Sequence, residues 1–375
     1  MVLFSNLFFM PKIKDIIAVI EDFAPSSLQE KYDNSGVQVG DINQDATGAI
    51  IAFDVTLDVI DEAIKSNSNL IISHHPITLS GIKQITGKTL TEQIIIKAIE
   101  NKIAIYTSHT NSDKIKTGVS GLLANRLGLK NQEILVPEPN SLLKIVTFVP
   151  EENAESVRDA MFNAGAGHIG NYDSCSYNSS GYGTFRAGDN TNPFVGKIGE
   201  IHSEKEVKIE SIVPSHLKNS VINAIIKSHP YEEPAYDIYP LANQNNSIGF
   251  GIVGDLTEEM SISNFLKHLK KEAKTECIRY TDINKKTIKK VAVCGGSGSS
   301  FLPYAISSNA DVYVTGDFKY HQFFDGFNKI MIADVGHYES EQFIKTLFYE
   351  LVTKKFPNFA VRLTEVNSNP IKYFY

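Results

Sequence analysis

The stretch Asp334-Val-Gly-His-Tyr-Glu-Ser-Glu-Gln-Phe343 places an imidazole, His337, and a carboxylate, Glu341, four residues apart. An amphipathic helix is expected over about 339–354, so the pair sits at its mouth, after the apolar run Ile330-Met-Ile-Ala333. At that spacing both side chains point the same way. The first helical turn explains a glutamate, which favours the helix dipole, but not the histidine. One nitrogen and one oxygen donor aimed at a common point make half of a metal site.

The other half is expected far upstream. Leu70-Ile-Ile-Ser73 reads as a short apolar strand, and His74 and His75 follow it, before Pro76. Extended neighbours face opposite ways, but a turn at the proline would let the two serve different ions or the same one. Two adjacent histidines in a chain that has 10 favour a metal over a bland loop. Asp113 lies beyond another strand end, four residues after His109. A carboxylate there can cap a helix or bridge two cations. His109 reads as a donor that orients a ligand from behind. Together His74, His75, Asp113, His337 and Glu341 offer three imidazoles and two carboxylates. That set suits one or two divalent cations of zinc, iron, manganese or cobalt type and is too rich in nitrogen for magnesium or calcium. Five ligands shared by two ions leave open positions, as a catalytic site requires.

Other polar loops are candidates for substrate. Gly295, Gly296, Ser297 and Gly298 stand between an expected strand, Lys290-Val-Ala-Val-Cys294, and a helix from about Phe301. Their N–H groups could hold phosphate, although no Lys-Ser/Thr follows as in a Walker loop. His321, behind Asp311-Val-Tyr-Val-Thr315, is a candidate catalytic acid or base. Gly249-Phe-Gly-Ile-Val-Gly254 matches G-x-G-x-x-G, but no helix opens at its end, so a turn or bulge is expected instead of a dinucleotide site. His168, His202, His216, His229 and His268 receive no role.

The elements that must position these residues alternate. Helices are expected over 11–23, 57–65, 90–101 and 119–127, strands over 35–40, 49–53, 70–73 and 103–106. Strands alternating with helices imply an α/β fold with mostly parallel sheets, whose function gathers at the carboxyl ends of the strands. From Leu142 the order becomes βαββαβ, a ferredoxin-like α+β unit. The first pattern then resumes. The expected division is a discontinuous metal-binding domain, 1–130 with 246–375, interrupted by an insert at 140–243.

Composition narrows the function classes. The net charge of -7 and the pI near 5.8 argue against a general nucleic-acid surface. No apolar run reaches the roughly 20 residues that a membrane helix needs. The apolar start, Met1 to Met10, lacks the basic flank and cleavage site of a signal peptide, and Met10 reads as an alternative start. Cys175, Cys277 and Cys294 are odd in number and far apart, so a reducing cytoplasm is expected.

Six stretches carry a family resemblance: Tyr32-Asp-Asn-Ser-Gly-Val-Gln-Val-Gly40, Ser73-His-His-Pro76, Ser108-His-Thr-Asn-Ser-Asp113, Gly295-Gly-Ser-Gly298, Thr315-Gly-Asp317 with Tyr320-His321, and Asp334-Val-Gly-His-Tyr-Glu-Ser-Glu341. In this order they resemble the GTP cyclohydrolase 1 type 2 family, also called NGG-interacting-factor-three-like. Within the insert, Gly183-Thr-Phe-Arg186 and His229-Pro-Tyr-Glu-Glu-Pro-Ala-Tyr236 are similar to the longer members, whose middle domain is PII-like. Ala187 departs from the proline often found there. The resemblance implies a dinuclear centre on His74, His75, Asp113, His337 and Glu341, and a homohexameric ring with the metals facing inward. The expected function is a metal-dependent hydrolase acting on a small molecule such as a nucleotide or phosphorylated compound. The alternative is a metal-binding regulatory or scaffold protein whose insert senses a ligand or partner. Membrane or nucleic-acid partners are not expected.

Overall fold

The structure, a computed structural model, describes residues 10–374, so the apolar start at 1–9 lies outside the described residues. The chain forms two compact units, one of the residues up to Val136 with those from Ser247, the other Pro137–Asn246. In chain order the strands are β1 (Gly36–Val39), β2 (Ala49–Ala52), β3 (Leu70–Ser73), β4 (Ala104–Thr107) and β5 (Lys130–Glu138). Then come β6 (Leu142–Pro150), β7 (Ser176–Arg186), β8 (Ile201–Pro214) and β9 (Tyr236–Leu241). β10 (Asn245–Ser261), β11 (Arg279–Tyr280), β12 (Thr287–Val293), β13 (Val312–Thr315), β14 (Met331–Asp334) and β15 (Val361–Leu363) complete the set.

The first unit holds two sheets. One has the order β1-β4-β3-β2-β15, parallel except for β1 at its edge. The apolar strands alternate between two cores: Ile51, Leu70, Ile72 and Tyr106 face one, Ile50, Ile71 and Ile105 the other. Helices Ile13–Phe23 and Ile344–Lys355 cover the first face, helices Leu57–Lys65 and Leu90–Glu100 the second. The helix starting at Leu90 is opened by the Thr89 side chain, which accepts the Glu92 N–H. Gly40, at φ +97, lets the edge approach β4, because a Cβ there would stand 2.6 Å from the Ala104 Cα.

The other sheet has the order β11-β14-β13-β12-β10-β5, with β12, β13 and β14 parallel, β10 antiparallel to β12 and β11 antiparallel to β14. Val291, Val293, Val312, Val314 and Met331 face helices Val119–Arg126 and Ile262–Ala273, and Ala292, Tyr313 and Ile332 face the opposite core. Both sheets are thus covered on two sides. Among the described residues no helix is long and apolar enough to cross a membrane.

Three local expectations change. The helix expected over 339–354 is two helices, His337–Glu341 and Ile344–Lys355, broken at Gln342 and Phe343. There the Gln342 amide donates to the Ala273 carbonyl, and the Arg126 guanidinium lies over the Phe343 ring at 4.2 Å, so tertiary partners outweigh helical continuity. The Gly249–Gly254 run is neither turn nor dinucleotide loop but lies inside β10, where Gly254 packs tightly against the Lys130 backbone. Strands β5 and β10 were not expected from the pattern, because their apolar residues alternate weakly.

The second unit is βαββαβ with the order β7-β8-β6-β9, all antiparallel. Helices Ala154–Asn163 and Lys218–Ser228 bury Val157, Met161, Val221 and Ile225 against Ile145, Val149, Ile209 and Val213 on one face.

The joint between the terminal helix and the first sheet rests on Phe348, which is 0% exposed. Phe348→Ala should lower the stability of this unit by about 3–5 kcal/mol, whereas truncating exposed Leu79 should change it by less than about 0.5 kcal/mol. Urea denaturation checks both.

Candidate metal centre

The carboxyl ends of strands from both sheets meet at one place. β3 delivers His74 and His75, and the Phe53 carbonyl at the end of β2 accepts both of their N–H groups at 3.2 and 3.1 Å. That shared acceptor holds the turn at Pro76. β4 leads into Ser108 and His109 and the short helix Thr110–Asp113. From the second sheet, β14 leads through Gly336, at φ +97, into the helix that carries His337 and Glu341.

Two three-residue groups result. In the first, His74 Nε2 lies 3.6 Å from Asp113 Oδ1 and 3.6 Å from Glu341 Oε2. In the second, Glu341 Oε2 lies 3.3 Å from His75 Nε2 and 3.1 Å from His337 Nε2, and the two imidazole nitrogens are 3.3 Å apart. The donor atoms within each group all lie within 4.8 Å of one another, and His74, His75 and His109 form a third such group. Glu341 Oε2 is common to the first two.

Each imidazole is held from behind. His75 Nδ1 donates to Asp54 at 2.7 Å, His337 Nδ1 to Asp317 at 2.7 Å, His109 Nδ1 to Asp33 at 2.7 Å, and His74 Nδ1 to the Ser108 carbonyl at 3.0 Å. These acceptors fix the tautomer, so each Nε2 turns a lone pair inward. Asp33 also accepts the Thr110 N–H at 3.0 Å, tying the Asp113 helix to the same carboxylate. Asp317 takes up a left-handed backbone, φ 59, which aspartate tolerates better than most residues.

The donor set fits a cation. Among the described residues, His74 Nε2, Asp113 Oδ1 and Glu341 Oε2 are the buried side-chain atoms without a hydrogen-bond partner, and they are three neighbours in one group. Lone pairs crowded in this way repel unless positive charge lies between them. In the metal-free chain protons supply it. Burial would lower the His75 pKa, but Asp54 and Glu341 outweigh it and raise it to about 9. Burial acts likewise on His337, and Asp317 and Glu341 raise it to about 11. Burial, reinforced by the Glu341 charge, lifts Asp113 to about 6 against the pull of His74. Glu341 is held well below the usual carboxylate range: burial opposes this, and the three imidazoles around it prevail.

The remaining candidates stand differently. The N–H groups of Gly295, Gly296 and Gly298 are already donated to the hydroxyls of Ser120, Ser340 and Thr315, at 3.1, 2.9 and 3.1 Å. The glycines make room: a Cβ on Gly296 would fall on the Glu341 carboxylate. Only Ser297 retains an N–H for an anion among these four. His321 is exposed on the turn Tyr320–Gly326, with its ring against Tyr320, and belongs to none of the three groups. Asp54 and Asp33, which hold His75 and His109 from behind, were not singled out from the sequence. Asp54 follows a strand end, as the ligands do, and that position was the available signal.

Comparison with known proteins identifies the family. A relative from Halalkalibacterium halodurans named GTP cyclohydrolase 1 type 2 homolog is 42% identical over 366 residues, covering 96% of this chain and 98% of the relative. One of the same name from Bacillus subtilis is 38% identical over 370 residues, covering 96% and 98%. The crystal structure of a Bacillus cereus protein related to NIF3 superposes with a TM-score of 0.84 at 39% identity, covering 97% of this chain and all of that one. The pattern of Duf34/NIF3 (NGG1p interacting factor 3) matches residues 11–370, and the chain belongs to that family.

Proposed function

We propose that the protein is a metal-dependent hydrolase that holds two divalent cations and acts on a nucleotide or another phosphorylated small molecule. The observation that carries this reading is the pair of three-donor groups joined at Glu341 Oε2. His74 and Asp113 would hold one ion, His75 and His337 the other, and Glu341 would reach both. Cations of zinc, iron, manganese or cobalt type would supply Lewis-acid polarisation of a carbon or phosphorus centre and an acidified water. The name borne by the relatives supports a nucleotide as the substrate class.

The chain's own groups do the rest. His109 packs edge-on to His74 and His75, at 5.4 and 5.2 Å between ring centres, with Asp33 behind it. In this reading His109, not the exposed His321, holds or moves a proton at the substrate. Phe53 lies 4.5 Å from the His75 ring and 4.9 Å from Tyr338, an apolar wall that limits water on that side. The three cysteines are free thiols, which supports a reducing, cytoplasmic setting. Exposed Tyr280, Tyr320, Phe324 and Phe327 beside the edge strand β11 support self-association of this unit, as in a homohexamer. Sedimentation at micromolar concentration should give six chains, and Phe324→Glu should shift the population toward smaller species.

Elemental analysis of chelator-free protein should find about two transition-metal equivalents per chain. His74→Ala and His337→Ala should each lose about one equivalent, Glu341→Ala both, and Asp54→Asn should weaken binding about 10- to 100-fold. Turnover of GTP or a phosphoester should disappear with His74→Ala. Metal-free protein after reconstitution, or turnover indifferent to that substitution, would defeat the proposal.

The pKa values set a sign. Near neutrality the metal-free His75 and His337 carry protons that an ion must displace, so metal affinity should climb with pH, by about tenfold per unit for each proton released. Metal-free stability should run the opposite way. The raised values stabilise the empty fold fully below about 6.5, and that contribution fades as pH rises through about 9 and then about 11. Competition titrations and chemical denaturation across pH 6 to 9 read the two slopes.

A further inference from the structure

The second unit contains a cavity of about 620 Å³, within the range of small-molecule sites. It lies on the sheet face opposite the two helices. Its floor is built from β7 and β8, where Gly183, Phe185 and Glu206 line it. The residues whose pattern stood out in the insert, Gly183-Thr-Phe-Arg186 and His229-Pro-Tyr-Glu-Glu-Pro, supply much of the wall.

Glu206 is the anomaly. It is 8% exposed, and among the described residues its hydrogen-bond partner is a single group, the Tyr231 hydroxyl at 2.8 Å. A buried carboxylate normally gathers several donors. The bases nearby are engaged elsewhere: Lys208 with Glu210, and Lys205 with Glu151 at 2.6 Å. Gly183 exists to admit the carboxylate, since a Cβ there would fall on Glu206 Oε2.

The groups around Glu206 are locked in place. His229 is buried, and its Nδ1 accepts the Tyr231 N–H at 3.0 Å, which leaves Nε2–H to donate to the Phe148 carbonyl at 2.9 Å. Burial lowers the His229 pKa, consistent with that neutral tautomer. This clamp aims Tyr231 at Glu206. The Tyr231 ring lies 6.0 Å from Phe185 and 6.3 Å from Phe194, giving the cavity flat apolar walls. Glu232 and Glu233 also line it, so acids outnumber Arg186 and the engaged Lys208, and an anionic ligand is disfavoured.

We infer that this cavity binds a planar nitrogen heterocycle presenting a ring N–H beside an exocyclic amino group, with Glu206 accepting both hydrogens and the Phe185, Phe194 and Tyr231 rings lying against its faces. A carboxylate matches two parallel N–H donors, and aromatic walls match a flat ring. The site is separate from the metal groups, whose residues all lie outside 137–246.

Calorimetric titration of the full chain with guanosine and with inosine tests this, because inosine lacks the amino group. Guanosine should bind, and inosine about 10- to 100-fold more weakly. Glu206→Gln should cost guanosine a similar factor, and Gly183→Ala, which crowds the carboxylate, should do the same. His74→Ala should leave guanosine binding unchanged, which separates this site from the proposed metal centre. No binding at millimolar guanosine, equal binding of inosine, indifference to Glu206→Gln, or a loss that follows His74→Ala instead would overturn the inference.

Discussion

Glu341 is 4% exposed and has imidazole Nε2 atoms on three sides, all directed at the same oxygen. Nothing in such an arrangement is stable by itself. The Nδ1 atoms are committed to aspartates or a carbonyl, so the rings cannot rotate to relieve the crowding without losing strong charge-assisted hydrogen bonds. Positive charge at the centre is the term that reconciles them, as protons in the metal-free chain or as divalent ions. The aspartates behind His75 and His337 raise the basicity of those nitrogens and keep their direction fixed, which would favour an ion. The backbone bends around this centre: Asp317 is left-handed, and a Cβ at position 296 would fall on the Glu341 carboxylate.

That centre also explains why two sheets are needed. A single parallel sheet offers its loops along one edge, and adjacent strand ends stand about 5 Å apart. Here β2, β3 and β4 bring Asp54, His74, His75 and the loop to Asp113 from one sheet, and β13 and β14 bring Asp317, His337 and Glu341 from the other. The helix Ile344–Lys355 belongs to the core of the first sheet although it follows the last strand of the second. The C-terminal β15 then pairs with β2. The polypeptide therefore crosses from the second sheet to the first directly after His337 and Glu341, which ties the halves of the centre together through apolar packing and not through the donors alone.

Much of this was legible in the residues. The alternation of four-residue apolar strands with helices at 3.6 periodicity predicts covered parallel sheets, because strands buried on both faces, such as Leu70-Ile-Ile-Ser73, have no polar side. The clustering of His74, His75, Asp113, His337 and Glu341 was readable because imidazoles and carboxylates are chemically unusual at strand ends. The aspartates behind them were less so: a carboxylate after a strand is also a routine helix cap, and only the third dimension shows that Asp54 faces His75 and not a free N–H. The anion-loop reading of Gly295 to Gly298 shows the opposite failure. Its glycines looked like open N–H groups, whereas Ser120, Ser340 and Thr315, remote in sequence, occupy them. Likewise the long helix expected after Glu339 is interrupted by partners at Ala273 and Arg126 that no local pattern contains.

The position of the insert follows from loop-closure entropy. It enters after β5 and leaves into β10, and these two strands are neighbours in the six-stranded sheet. An insertion between paired neighbours has ends that the host sheet already holds close together, and the closure cost grows only with the logarithm of loop length, about 0.6 kcal/mol per doubling. A folded insert costs less still, since its own core orders it. Among the described residues the three metal-capable groups all lie outside the insert, and the insert's cavity draws on residues 148–235 alone. The His229–Tyr231–Glu206 chain of contacts is likewise internal, spanning one sheet and one loop. The donor cluster and the insert's cavity share no residue, so each can be altered by itself, and any dependence of one on the other would come from coupling between folded units, measurable as a change in affinity and equal in both directions.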